Sequence, residues 1–275
     1  MPAPPTSTLP DSEIDQLHEL ALRLATEAGT LIRDGREQAT REVSTKTTRA
    51  DVVTTMDRAC EIFLRTEIAA QRPDDGVYGE EHDEQTGTSG VRWVIDPIDG
   101  TVNYLYGLAD YAVSIAVEIG GEIVAGVVHK PQTAETFSAR RGAGAFLNGE
   151  RLHSSAPDAL DVTLLATGFG YAAARRRQQG EVVAELLGHV RDIRRMGSAA
   201  LDLCNAAAGR VDGYYEWGVH LWDVAAGALI ASEAGLDVRL PEHEEGLVTA
   251  VAPSVSDEVN ALVRSLIRPQ WQVPS

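Results

Sequence analysis

Four acidic side chains stand where a fold presents groups rather than burying them. Glu80 follows a short apolar run and a glycine, and Asp96 and Asp99 bracket the corner at Pro97-Ile98. Asp223 opens the apolar stretch Leu221-Trp222-Asp223-Val224-Ala225-Ala226-Gly227. Singly, each has a structural reading: Asp223 as an N-cap, Asp99 as a turn residue, Glu80 or Glu81 as a capping or surface acid. Jointly those readings weaken, because carboxylates gathered without cations repel one another. Hard oxygen ligands of this kind suit Mg²⁺. Two such ions roughly 3.5–4 Å apart can activate a water and stabilise a leaving alkoxide. Gly100 and Thr101 follow at a helix start, where N–H groups hold phosphate. Acids beside that start repel a bare phosphate, so a divalent metal must mediate. No zinc-spaced His/Cys cluster, Gly-x-Ser-x-Gly elbow or P-loop is present. The chemistry is metal-assisted hydrolysis of a phosphate ester.

Composition narrows the setting. The 275 residues, 44% hydrophobic, suffice for one large domain or two lobes with a sizeable core. A formal net charge of −17 argues against a nucleic-acid partner. Cys60 and Cys204 sit in apolar helical patterns and read as buried, reduced thiols. No stretch approaches the roughly 18 apolar residues of a membrane span. Met1-Pro2-Ala3-Pro4-Pro5 lacks the basic and apolar regions of a secretory signal, so a cytoplasmic location is expected.

The elements that must position the acids follow from periodicity. Residues 1–11 read as a disordered tail. A helix capped by Ser12 or Asp11 follows, with Ile14, Leu17, Leu20, Ala21, Leu24, Ala28, Leu31 and Ile32 on one face and Gly35 as its stop. A second helix starts near Asp57, its core face carrying Ala59, Ile62, Phe63 and Ile68. Residues 77–78 form a strand leading to Gly79-Glu80-Glu81-His82, and residues 91–95 another that Pro97 ends. Strands over 112–119, 123–128, 135–139 and 144–147, with Gly120-Gly121 between the first two, form an antiparallel run. After about residue 155 strands alternate with helices: strands over 162–166, 192–196, 211–215 and 248–252, helices over 172–187, 198–208, 222–234 and 257–266. The expected organisation is an α+β half over 12–155 with most of the acids, an α/β half over 156–275 with Asp223, and a cleft between them.

These residues resemble the inositol monophosphatase family of lithium-sensitive, magnesium-dependent sugar phosphatases. Residues 93–103 match its Asp-Pro-x-Asp-Gly-Thr signature, Gly79-Glu80-Glu81 its upstream acidic pair, and residues 222–227 its C-terminal signature. The resemblance spans about residues 12–268. It implies a layered αβαβα sandwich of the inositol monophosphatase/fructose bisphosphatase type, and a phosphomonoesterase acting on myo-inositol monophosphate. By resemblance, Glu80, Asp96 and the Ile98 carbonyl hold one Mg²⁺, and Asp96, Asp99 and Asp223 a second. Glu80 helps a third, and Li⁺ inhibits at the second position. Thr101, paired with Asp57, and Glu80 orient the attacking water, and Lys46 is accessory. Gly100 and Thr101 bind the phosphate. Gly197-Ser198-Ala199, Glu216, Asp99 and Asp223 meet the substrate, although Ser198 is also a good N-cap and Glu216 could be a rim acid. A homodimer is implied. A histidinol-phosphate phosphatase, a 3′-phosphoadenosine 5′-phosphate phosphatase and a regulatory binding protein are the competing readings. The sequence departs from the family pattern at Leu108-Ala109-Asp110-Tyr111, which lacks a proline, and at Leu236, where a second glycine is usual. His82, His129 and His220 are expected at the rim or in structural roles, and Trp217 and Trp222 in packing. Arg175-Arg176-Arg177, Arg191, Arg194 and Arg195 read as surface or interface cations, one of which could meet a second phosphate.

Overall fold

Helix α1 (Asp11–Ala39) lays its apolar stripe on a sheet, burying Ile14, Leu17, Ala21, Leu24, Ala28 and Ile32 while Leu31 stays at the edge. The computed structural model describes residues 9–39, 43–46, 52–241 and 246–268. Residues 1–8 of the expected tail lie outside the described residues, as do residues 47–51. Gly35 does not stop α1. A Cβ there would stand 2.2 Å from Met56 Cε, so the glycine admits helix α2 (Thr55–Gln71) instead. Thr54 caps α2 in a box with Asp57. The buried face of α2 is Asp57, Cys60, Glu61, Leu64 and Ile68, whereas Ile62 is 54% exposed. The expected face through Ala59 and Ile62 is therefore out of phase, because the capping box turns Asp57 inward and sets the helix rotation.

Strands β1 (Val43–Thr45) and β2 (Val52–Thr54) form a small antiparallel pair. Strands β3 (Gly76–Gly79), β4 (Val91–Asp99), β5 (Ala112–Ile119), β6 (Glu122–Lys130), β7 (Glu135–Arg140), β8 (Gly144–Leu147) and β9 (Glu150–Arg151) join in chain order into a seven-stranded sheet. Only β3 and β4 run parallel within it. Pro97 does not end β4. Its parallel neighbour stops at Gly79 opposite Ile95, so the missing N–H breaks no bond there. On the other edge, pairing slips between Asp96↔Ser114 and Asp99↔Ala112, a bulge of one extra residue. Residues three apart on a regular strand face opposite ways. The bulge brings Asp96 and Asp99 to the same side.

Helix α3 (Thr101–Tyr106) follows at once. The second half comprises β10 (Leu164–Thr167), α4 (Ala173–Leu186), β11 (Asp192–Arg194), α5 (Ala199–Ala207), β12 (Gly213–Trp217), α6 (Leu221–Glu233), β13 (Asp237–Arg239), β14 (Leu247–Val251) and α7 (Ser256–Leu266). Its mixed sheet has the order β11-β10-β12-β14-β13. Five layers result: α1 and α2, the seven-stranded sheet, α5 and α6, the five-stranded sheet, then α4 with α7. This is the expected αβαβα sandwich. The middle layer is thin because its residues are small: Ala200, Ala207, Ala225, Ala226 and Ala234 face Ala112 and Ala116. Gly126 on β6 lets α6 approach, since a Cβ there would lie 2.9 Å from the Ala226 carbonyl oxygen. The N-termini of α5 and α6 are thus brought over the end of β4.

Candidate active site

The end of β4, the starts of α3, α5 and α6, and the loop after β3 converge on a cavity of about 470 Å³. Asp96, Asp99 and Asp223 line it, each offering an oxygen atom within 4.8 Å of the others. One oxygen of each is already held by the fold. The Ile98 N–H donates to Asp96 Oδ1 at 3.0 Å, and the His220 N–H donates to Asp223 Oδ2 at 2.6 Å. The Ser198 hydroxyl and the Ala200 N–H donate to Asp99 Oδ2 at 2.6 and 2.7 Å. The three carboxylates thus converge as hard donors, each anchored by the fold.

Electrostatics say the same. Burial pushes the Asp96 carboxyl well above its ordinary range, and the charges of Glu80, Asp99 and Asp223 add to the effect. Asp223 is raised well above its usual value by burial and then by Asp99 and Glu80. Asp99 rises only to about 6, because the α5 donors oppose the desolvation. Such crowding of acids is the donor set a divalent cation requires, and the residues fit one.

Around this triplet stand the other expected residues. Glu80 lines the same cavity, its carboxylate held at 2.7 Å by the Lys46 ammonium, which also reaches Glu81 at 2.6 Å. The Thr101 hydroxyl lies 3.0 Å from Asp57 Oδ1 and equally far from the Ile98 carbonyl, able to donate to either. Asp57 is fully buried, and desolvation lifts it to about 6 against the pull of the Thr54 donors. Gly100 caps α3 at φ 94°, where an L side chain is strained, and any Cβ would meet the Asp110 carbonyl at 2.8 Å. The first N–H groups of α3 lack partners inside the helix and stand in the cavity wall.

The residues expected on the substrate side share this cavity. Glu216 projects from β12, receives the Tyr214 hydroxyl at 2.9 Å, and is raised to about 7 by burial. Gly197 and Ala199 line the cavity with Ser198, whose hydroxyl serves Asp99 and also caps the Leu201 N–H at 3.2 Å. His82 lies beside Glu61 and His129 is bonded to Thr136, whereas His220, stacked on Trp222 with centroids 4.6 Å apart, stands with it in the cavity wall.

Among the cations read as surface or interface groups, one of which could meet a second phosphate, Arg175 and Arg195 line the cavity. Arg195 holds its guanidinium 5.7 Å over the Phe169 ring. Sequence reasoning missed two residues, Asp202 and Gly168. Asp202 lies in the cavity wall, 1% exposed, and its Oδ1 has no hydrogen-bond partner among the described residues. An acid on the mostly apolar helix Ala199–Ala207 was the available signal. Gly168 stands against Glu216, where a Cβ would meet the carboxylate at 1.9 Å.

The family model for inositol monophosphatases matches residues 13–273. The chain is 43% identical to Mycobacterium tuberculosis inositol-1-monophosphatase SuhB, covering 94% of this chain and 96% of that one. It is 44% identical to the Escherichia coli Nus factor SuhB over 78% of this chain and 82% of the relative. The solved structure of Mycobacterium tuberculosis SuhB superposes with a TM-score of 0.80, covering 92% of this chain and 97% of that chain.

Proposed function

The chain belongs to the inositol monophosphatase family, whose members are metal-dependent phosphoric monoester hydrolases, and we propose that it hydrolyses myo-inositol monophosphate to myo-inositol and phosphate with Mg²⁺. The carrying observation is the triplet of converging oxygens from Asp96, Asp99 and Asp223, at the start of α3 beside the Thr101–Asp57 pair. Those three, with Glu80 and the Ile98 carbonyl, would hold two to three Mg²⁺ ions. Bound there, Mg²⁺ supplies a water of lowered pKa and positive charge for the phosphate and the leaving oxygen.

The protein's own part is orientation and proton handling. The Gly100 and Thr101 N–H groups face the phosphate. Thr101 Oγ1 and Glu80 orient the attacking water, and Thr101 accepts its hydrogen bond while passing its own proton toward Asp57 Oδ1. A buried carboxyl near 6 is suited to receive it. Glu216, with Asp99, Asp223 and the Gly197-Ser198-Ala199 loop, receives ring hydroxyls, and Lys46 steadies Glu80. The resemblance supports a homodimer with Li⁺ as an inhibitor, and the composition a cytoplasmic location. No helix among the described residues is long and apolar enough to cross a membrane.

A panel of myo-inositol 1-phosphate, histidinol phosphate and 3′-phosphoadenosine 5′-phosphate, assayed with Mg²⁺ and with added Li⁺, tests the reading. The inositol ester is expected to turn over fastest, with Li⁺ inhibiting at millimolar concentration. Faster turnover of another ester removes the substrate assignment. The identity to a protein named a Nus factor favours a second, regulatory role. Asp99→Asn is expected to abolish hydrolysis while leaving such a role intact.

A further inference from the structure

Glu61 lies one turn beyond Asp57 on α2 and is completely buried. It is not among the residues lining the cavity. Its Oε2 accepts the Glu81 N–H at 2.7 Å, and its Oε1 accepts the Arg65 Nε–H at 2.8 Å. His82 Nδ1 lies 3.1 Å from the same Oε1, and because a carboxylate only accepts, that nitrogen carries the proton. Arg65 reaches on to the His82 carbonyl at 3.2 Å. One carboxylate therefore grips the backbone and side chains on the far side of Glu80, while the Glu80 carboxylate lines the cavity.

Gly79 belongs to the same device. A Cβ at that position would sit 2.7 Å from the Glu61 carboxyl carbon and 2.7–2.8 Å from its oxygens. Real side chains do not pack so closely, so the glycine is what lets the carboxylate reach past β3 to the Glu81 N–H. A buried, charged acceptor with three donors is costly to remove, since each donor left unpaired loses its compensation for desolvation.

We infer that Glu61 is a positioning residue for metal binding: it locks the Gly79-Glu80-Glu81-His82 turn so that Glu80 meets the ion in a fixed place. One face of α2 thereby supports both sides of the site, Asp57 through Thr101 and Glu61 through Glu80. The inference rests on the metal site proposed above.

Calorimetric titration of Mg²⁺ into the metal-free protein tests it, with thermal melts of the same samples. Outer partners of metal ligands typically govern affinity by about 10–100-fold, so Glu61→Gln is expected to weaken Mg²⁺ binding by ~10-fold or more. Asp75→Asn is the control. Asp75 is also a buried carboxylate, bonded to Trp93, Ser89 and Arg72, but it lies at the opposite end of β3. It should lower the melting temperature without changing Mg²⁺ affinity. Unchanged affinity in Glu61→Gln, or an equal loss in Asp75→Asn, overturns the inference. Should Glu61→Gln fail to fold, Arg65→Met removes the cation on the same carboxylate and is expected to weaken Mg²⁺ severalfold; wild-type affinity there overturns it equally. A wild-type protein that binds no Mg²⁺ overturns the underlying metal site instead.

Discussion

The Thr101–Asp57 pair is the part of the site where a single atom decides the outcome. Thr101→Ala or Asp57→Asn should lower kcat by about 10²–10⁴-fold, the span of one acid–base contribution, with Mg²⁺ affinity little changed. Steady-state kinetics together with metal titration separates the two effects. For Glu216 the proposed role is recognition of ring hydroxyls: Glu216→Gln should then raise KM for inositol phosphate by about 10–100-fold, the worth of a hydrogen bond to a charged group. Turnover of p-nitrophenyl phosphate, which lacks ring hydroxyls, should not change. The four acids of the site were legible because two of them, Asp96 and Asp99, fall within one short motif and the others follow a glycine or open a helix. Glu61 was not legible, and Asp202 only through the mostly apolar helix around it. An acid in a helical pattern reads as solvated surface until tertiary packing shows it at less than 2% exposure.

Elements, rather than residues, determine where the acids meet. Asp223 reaches the triplet because α6 lies close on β6, and Gly126 allows that approach. Gly126→Ala drives a Cβ onto the Ala226 backbone, at 2.9 Å from its oxygen and 3.0 Å from its Cα. Neither atom can rotate away, so the change should cost about 1–3 kcal/mol. Denaturant unfolding measures that loss, and the Mg²⁺ requirement should rise with it as α6 is displaced. Most elements after residue 90 stand within a few residues of their expected places, since each carries a clear period and a turn signal. The failures have physical causes. Gly35 and Pro97 are read as breakers from local preference, yet one is a packing gap for Met56 and the other a bulge beside an ended neighbour. Strand β13 has three residues and no apolar alternation to show it. The order of strands in the second sheet depends on contacts that no local pattern encodes.

Over the whole molecule, the cost of gathering buried acids should appear as a pH-dependent stability. Asp57 and Asp99 are raised to about 6, and Glu81 and Glu216 to about 7, with burial the first cause in each. A carboxyl whose folded pKa lies above its unfolded one stabilises the fold below the unfolded value. That stability is lost as pH rises through the folded value. Chelated protein should therefore melt lower at pH 7.5 than at pH 5.5, with the fall between about pH 4 and 7. Mg²⁺ should raise the melting temperature more at pH 7.5, by binding only the folded state. Calorimetric scans with and without chelator check both signs. The change from hairpin spacing to alternating strands and helices corresponds to the passage from the seven-stranded to the five-stranded sheet, and residues that follow strands of both sheets line the cavity.

Asp96, Asp99 and Asp223, with Glu80, are proposed to hold the metal on which hydrolysis by this chain depends. Phosphate release from myo-inositol 1-phosphate by the purified protein, with Mg²⁺ and with excess chelator, tests it most directly. Turnover with Mg²⁺ that chelator abolishes, and that Asp99→Asn lacks, is the predicted result. Release undiminished by chelator, or wild-type turnover in Asp99→Asn, would contradict it.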